Sequence, residues 1–184
     1  MKGFYNMDLN EKTIDTSYVY QGKIISIKKD KVLLPNGNTS IREVVEHNGG
    51  VCVVALDDDN NVYFVRQFRY PYKKVVIEIP AGKRDGDEEP MACGVRELHE
   101  EIGAVAKKFE PLGFMYPSPG YCGEIIWMFL ATGLEFKEQK LDDDEFLNVE
   151  KMPLEKAIEM VLNDEIHDAK TQIALMKTYL KLKK

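Results

Sequence analysis

The sequence predicts an α/β layered fold with a mixed sheet, preceded by a small N-terminal β region. Two observations point to it. Residues 51–56 are a continuous apolar run of the length of one buried strand, and residues 62–68 return as a second strand after an Asp- and Asn-rich turn. Beyond residue 89, strands alternate with three segments of helical period, the pattern of helices layered on a sheet.

The elements follow in chain order. Residues 12–47 read as short strands broken by turns: residues 24–28 alternate, and Pro35-Asn36-Gly37-Asn38 is a turn signal. This part is polar and buries little surface alone, so residues 1–47 are read as an N-terminal β arm and 48–184 as the main domain. Residues 57–61 join the strands at 51–56 and 62–68 into a hairpin, and residues 75–79 form a strand that runs into Pro80-Ala81-Gly82. The first helix spans residues 90–102. Pro90 suits its first turn, Asp87, Glu88 and Glu89 precede it, and Gly103 suits its end. Met91, Val95, Leu98 and Ile102 recur at helical spacing and are expected to form its buried stripe. Strands at 109–116, 125–131 and 145–149 follow, with helices at 153–163 and 168–182. Ile173, Met176 and Leu180 form the expected apolar stripe of the last.

A chain of 184 residues suits one domain with a full core, or a small domain plus an arm. Its 25 Lys and Arg against 31 Asp and Glu give a net charge of −6, which argues against nucleic-acid binding and a polybasic membrane anchor. No apolar run reaches transmembrane length, and the N-terminal residues lack the apolar core of a signal peptide. Cys52, Cys93 and Cys122 are widely spaced and form no CxxC pair. A cytoplasmic protein with reduced thiols is expected.

The chemistry concentrates between Gly82 and Ala104. Glu97, Glu100 and Glu101 are three and four residues apart, so they share one side of the helix, opposite the expected stripe. Carboxylates so grouped repel one another, and a divalent cation with oxygen ligands is the simplest remedy. Arg96 is expected to tie the helix to Glu88 or to orient a carboxylate. The plainer alternative is a solvated acidic face. The full spacing decides between them. Gly82, Glu88, Arg96-Glu97-Leu98, Glu100-Glu101 and Gly103 together resemble the Nudix box, with Ala104 where a larger aliphatic is usual.

That resemblance implies a Nudix-type α/β/α sandwich that cleaves a nucleoside diphosphate linked to another group, using Mg²⁺ or Mn²⁺. It implies Glu97, Glu100 and Glu101 as metal ligands, the backbone carbonyl of Ala81 as a further one, and Glu88 in support. Beyond the box, Pro119, sixteen residues after Gly103, and Glu124 resemble the bacterial ADP-ribose pyrophosphatase subfamily. So do Gln67-Phe68-Arg69, Ile77-Glu78-Ile79-Pro80-Ala81-Gly82, Ser40-Ile41-Arg42-Glu43 and Asp168-Ala169-Lys170-Thr171. The implied substrate contacts are Arg69 and Arg42, with Arg66 beside them, since guanidinium groups clamp a diphosphate bidentately. The acidic run at 142–145 is expected to supply the general base, as Asp142 or Glu145.

The expected activity is Mg²⁺-dependent hydrolysis of ADP-ribose to AMP and ribose 5-phosphate. Its rivals are another nucleoside diphosphate sugar such as GDP-mannose, or a non-catalytic nucleotide sensor. The subfamily also implies a homodimer formed through the N-terminal arm, with Arg42 serving the neighbouring subunit.

Overall fold

The structure, a computed structural model, describes residues 8–141 and 145–184. The chain divides into two compact units, Met1–His47 with Ser118–Glu124, and Asn48–Pro117 with Ile125–Lys184.

The first unit is an antiparallel sheet of β1 (Lys12–Gln21), β2 (Ser26–Leu33) and β3 (Thr39–Glu46), in that order. The predicted turn joins β2 to β3. Gly37 adopts φ +85°, a conformation glycine enters without steric cost, and its N–H donates to Leu34 O at 2.9 Å. Ser118–Glu124 joins this unit through β3: Val45 N donates to Tyr121 O at 2.8 Å, and Gly123 N donates to Val45 O at 2.9 Å. Every residue of β1 is exposed.

The second unit holds seven strands: β4 (Gly50–Leu56), β5 (Asn61–Arg69), β6 (Lys74–Glu78), β7 (Ala81–Lys83), β8 (Ala104–Met115), β9 (Ile126–Phe136) and β10 (Leu147–Pro153). They run in the order β10-β5-β4-β9-β8, with β6 on β5 and β7 on β4. Only the β4–β9 pair is parallel among these, so the sheet is mixed, as predicted. The helices are α1 (Pro90–Ile102), α2 (Leu154–Leu162) and α3 (Ala169–Leu182).

β4 is buried throughout, and its alternating side chains feed two cores. Val51, Val53 and Ala55 pack with Cys93, Leu98 and Ile102 of α1. Cys52, Val54 and Leu56 pack with Ala157 and Ile158 of α2 and with Ala174 and Leu175 of α3. Helices therefore cover both faces of the sheet, giving the α/β/α sandwich. Among the described residues, no helix is long and apolar enough to cross a membrane.

Three expectations are corrected. The strand β7 is absent from the sequence reading, because three residues of Ala-Gly-Lys carry no periodicity. In α1, Met91 and Val95 are exposed, while Glu97 and Glu101 turn inward with Cys93, Gly94, Leu98 and Ile102. Gly94 permits this seating, since a Cβ there would lie 3.0 Å from Phe109 and 3.2 Å from Phe129. In α3, Thr171, Ala174, Leu175 and Thr178 face inward, while Ile173 and Leu180 are exposed. Small side chains let this helix lie close to the sheet, and they outweigh the larger residues of the expected stripe.

Candidate active site

Helix α1 starts with Pro90 at its first position and ends at Gly103, whose φ of 67° and N–H to His99 O at 2.9 Å close the last turn. Between these ends, Glu97 and Glu101 press onto the segment that begins β7. The N–H of Ala81 donates to Glu101 Oε2 at 2.8 Å. Gly82 leaves room for the Glu97 carboxylate: a Cβ there would sit 1.9 Å from Glu97 Cδ. Two acidic side chains, 6% and 2% exposed, thus flank one short backbone segment.

Burial dominates their ionisation. It pushes Glu97 up to about 7, with Arg96 opposing and Glu100 and Glu145 reinforcing. It pushes Glu101 up to about 8, against the Ala81 hydrogen bond and the Arg69 charge, with Glu97 and Glu145 adding to the rise. Glu145 is therefore close enough for its charge to be felt at both carboxylates.

Arg96 does both things expected of it. Nη1 donates to Glu97 Oε1 and to Glu100 Oε2, each at 2.8 Å. Nε and Nη2 grip Glu88 at 3.0 and 2.8 Å. This grip holds Glu88 down to about 2. Arg96 is thus a resident counter-charge for the cluster. Arg84 braces the same loop, donating to Glu88 O at 2.6 Å and Asn48 O at 3.2 Å with its guanidinium 4.9 Å over the Trp127 ring.

The arginines assigned to substrate fall in different places. Arg69 ends β5 and forks onto Glu78 through Nε and Nη2, both at 2.6 Å. Its Nη1 makes no hydrogen bond among the described residues. Arg66 lies across from β10 and donates to Glu150 at 2.8 Å on an exposed flank. Arg42 belongs to the first unit, on β3, and forks onto Glu11 at 2.9 and 2.5 Å. Pro119 and Glu124 also belong to that unit. Pro119 follows Ser118, whose carbonyl accepts from Cys122 N at 3.0 Å, and Glu124 Oε1 lies 3.6 Å from His47 Nδ1. Asp142 lies outside the described residues.

Sequence reasoning singled out Glu78, Asp168 and Lys170 only as parts of resemblances and gave them no role. They form a part-buried network with Arg69, centred on the buried Glu78. Burial resists ionisation of Glu78, but the Arg69 fork and Lys170 outweigh it and hold the carboxyl below its usual range.

The donor set fits a hard divalent cation. Glu97, Glu100, Glu101 and the Ala81 carbonyl offer only oxygen. Arg69 lowers the Glu101 carboxyl through its charge, without a direct ion pair between them among the described residues. Among the described residues no three acidic, His or Cys side chains form a closed cage. Mg²⁺ needs none, since it keeps several waters and takes one or two carboxylates.

A stability test follows from the same burial. Folded, Glu97 and Glu101 keep their protons to about 7 and about 8, whereas unfolded they release them near the ordinary value of 4.5. The folded state thus binds more protons across this window, and stability falls as pH rises through it. Cation-free protein is expected to lose stability between about pH 5 and about pH 8.5 through these groups. Mg²⁺ is expected to raise Tm more at the higher pH. Thermal melts with EDTA and with Mg²⁺, compared with Glu101→Gln, check this. A wild-type pH slope no steeper than that of Glu101→Gln rejects it.

Comparison with known proteins adds a second line. Residues 46–174 match the NUDIX domain, and residues 11–45 match the nucleoside diphosphate sugar hydrolase N-terminal domain. The chain is 44% identical to the ADP-ribose pyrophosphatase of Bacillus subtilis over 177 residues, 95% of each chain. It is 41% identical to the methanol dehydrogenase activator of Bacillus methanolicus, over 94% of this chain and 93% of that one. The crystal structure of an ADP compounds hydrolase shares the fold at a TM-score of 0.83 and 20% identity, covering 95% of this chain and 96% of that one.

Proposed function

The chain belongs to the Nudix hydrolase family, and on that premise we propose that it hydrolyses the diphosphate bond of ADP-ribose to AMP and ribose 5-phosphate. One observation carries the chemistry: the buried Glu97 and Glu101 pair set against Ala81 and Gly82, with the free edge of Arg69 in electrostatic reach. The substrate rests on the near-full-length similarity to a protein named ADP-ribose pyrophosphatase. Another relative of comparable identity carries a different name, so the sugar must be tested directly.

Glu97, Glu100, Glu101 and the Ala81 carbonyl would hold Mg²⁺, or Mn²⁺ in its place, which would neutralise diphosphate charge and polarise the phosphorus for attack. Arg69 clamps a non-bridging oxygen through its free Nη1. Glu145 takes the proton from the attacking water as the new O–P bond forms and the bridging P–O bond breaks. Asp142 is the other candidate for that base. Arg96 keeps Glu97 and Glu100 oriented throughout. Arg66, Pro119 and Glu124 are assigned to substrate. Arg42 is assigned to the neighbouring site of a homodimer formed through the N-terminal arm, a role supported by the exposed Ile14, Tyr18, Val19 and Tyr20 of β1. A cytoplasmic location fits the three free cysteines.

Turnover of a panel of nucleoside diphosphate sugars with Mg²⁺, with Mn²⁺ and with EDTA tests this. ADP-ribose is expected to have the highest kcat/KM, and EDTA to remove activity. Faster turnover of GDP-mannose would reassign the sugar, and no turnover of any member would sink the enzyme. Sedimentation of the same preparation should give twice the chain mass of 21.1 kDa, and a single-chain mass would remove the dimer.

A further inference from the structure

We infer that Lys170 is a positioning residue for the substrate diphosphate, acting through Glu78 on Arg69. The inference rests on the reading that Arg69 binds the diphosphate.

The chain of contacts starts at α3. Asp168 caps the helix: its Oδ2 accepts from Thr171 N at 3.0 Å and from Thr171 Oγ1 at 2.6 Å. Its Oδ1 accepts from Lys170 Nζ at 3.0 Å. The same ammonium donates to Glu78 Oε2. Glu78 in turn receives the Arg69 fork on both oxygens. The four charges alternate in sign along this path. Side-chain exposure is 19% at Asp168, 11% at Lys170, 2% at Glu78 and 37% at Arg69. The network is shielded at its centre, on Glu78, and most open at Arg69, whose Nη1 makes no hydrogen bond among the described residues.

Two physical consequences follow. Planar Arg69 is held by two parallel bonds, so the place of Glu78 fixes the plane of the guanidinium. Lys170 fixes Glu78 from the other side, and the cap of α3 fixes Lys170. The second consequence is electrostatic. Without Lys170, the whole charge of Glu78 falls on Arg69 and cancels its field. With Lys170, Glu78 is shared, and Arg69 keeps positive potential for an anionic ligand. Buried ion pairs add little net stability, so orientation and field are the expected effects of this one.

The network also reaches the segment that meets α1. Ile79 N donates to Thr171 Oγ1 at 3.0 Å, two residues before Ala81 places its N–H on Glu101. Glu78 and Ile79 are thus tied to the same turn of α3.

Steady-state kinetics with ADP-ribose and Mg²⁺ test the inference in wild type, Lys170→Met, Lys170→Arg, Arg69→Met and the Lys170→Met/Arg69→Met double variant. Lys170→Met is expected to raise KM about tenfold with kcat within about threefold, and Lys170→Arg to restore most of the loss. Arg69→Met is expected to raise KM further. In that background Lys170→Met should add nothing, since a residue acting through another is silent once the other is gone. If Lys170→Met lacks a cooperative melt, Lys170→Gln, which keeps donors and drops the charge, carries the same expectations. Unchanged KM in Lys170→Met beside a raised KM in Arg69→Met overturns the inference alone, as does an equal effect of Lys170→Met in both backgrounds. Unchanged KM in Arg69→Met overturns the diphosphate reading and the inference with it.

Discussion

Glu101→Gln is expected to lower kcat by about 10³-fold while the fold survives. Glutamine has the shape of glutamate, and its side-chain oxygen can still accept from Ala81 N, so the segment before β7 keeps its anchor. What it lacks is the charge, and with it the ability to hold a divalent cation among Glu97, Glu100 and the Ala81 carbonyl. Burial pushes the Glu101 carboxyl up to about 8, so the ionised form is costly to the folded state. The variant should therefore melt no lower than wild type above neutral pH. Turnover within a few-fold of wild type would remove Glu101 from the cation site.

Gly82→Ala is expected to lower kcat/KM by about 10²-fold, the cost of displacing a catalytic group by an ångström or so. The new Cβ would lie 1.9 Å from Glu97 Cδ and 2.0 Å from Oε1, far inside any real contact. The clash could be relieved only by moving Glu97, because Gly82 pairs with Val51 of the buried β4. Glu97 would draw Arg96 with it through the bond to Oε1. In a Glu97→Ala background the substitution should cost little more, because the clashing carboxylate is gone. An undiminished single variant, or a full further loss in that background, would contradict the geometry.

The α1 segment was legible because one motif fixes glycine, acid and arginine at set intervals along a single helix. Its start at Pro90 and stop at Gly103 need only local chemistry. The hairpin of β4 and β5 was legible for the same reason, a long apolar run and a turn. The inward face of α1 was not. The usual pattern places acids outside and Met91 and Val95 inside, and here the buried Glu97 and Glu101 reverse it. Arg69 stands out in the sequence, but its hold on Glu78, and that of Lys170 from 92 residues away, could not be read from spacing. Tertiary closure of the sheet creates that contact.

Strand β4 lends alternate side chains to two cores, and this sharing bears on how the protein fails. A helix resting on its own sheet can detach while the rest of a domain persists. Here α1 and α3 lean on opposite faces of one strand, so losing either opens the strand that supports the other. The second unit is thereby expected to unfold as one cooperative body, without a stable species that keeps the fold and sheds the acidic helix. Loss of α1 and unfolding of the second unit are expected to coincide in one transition.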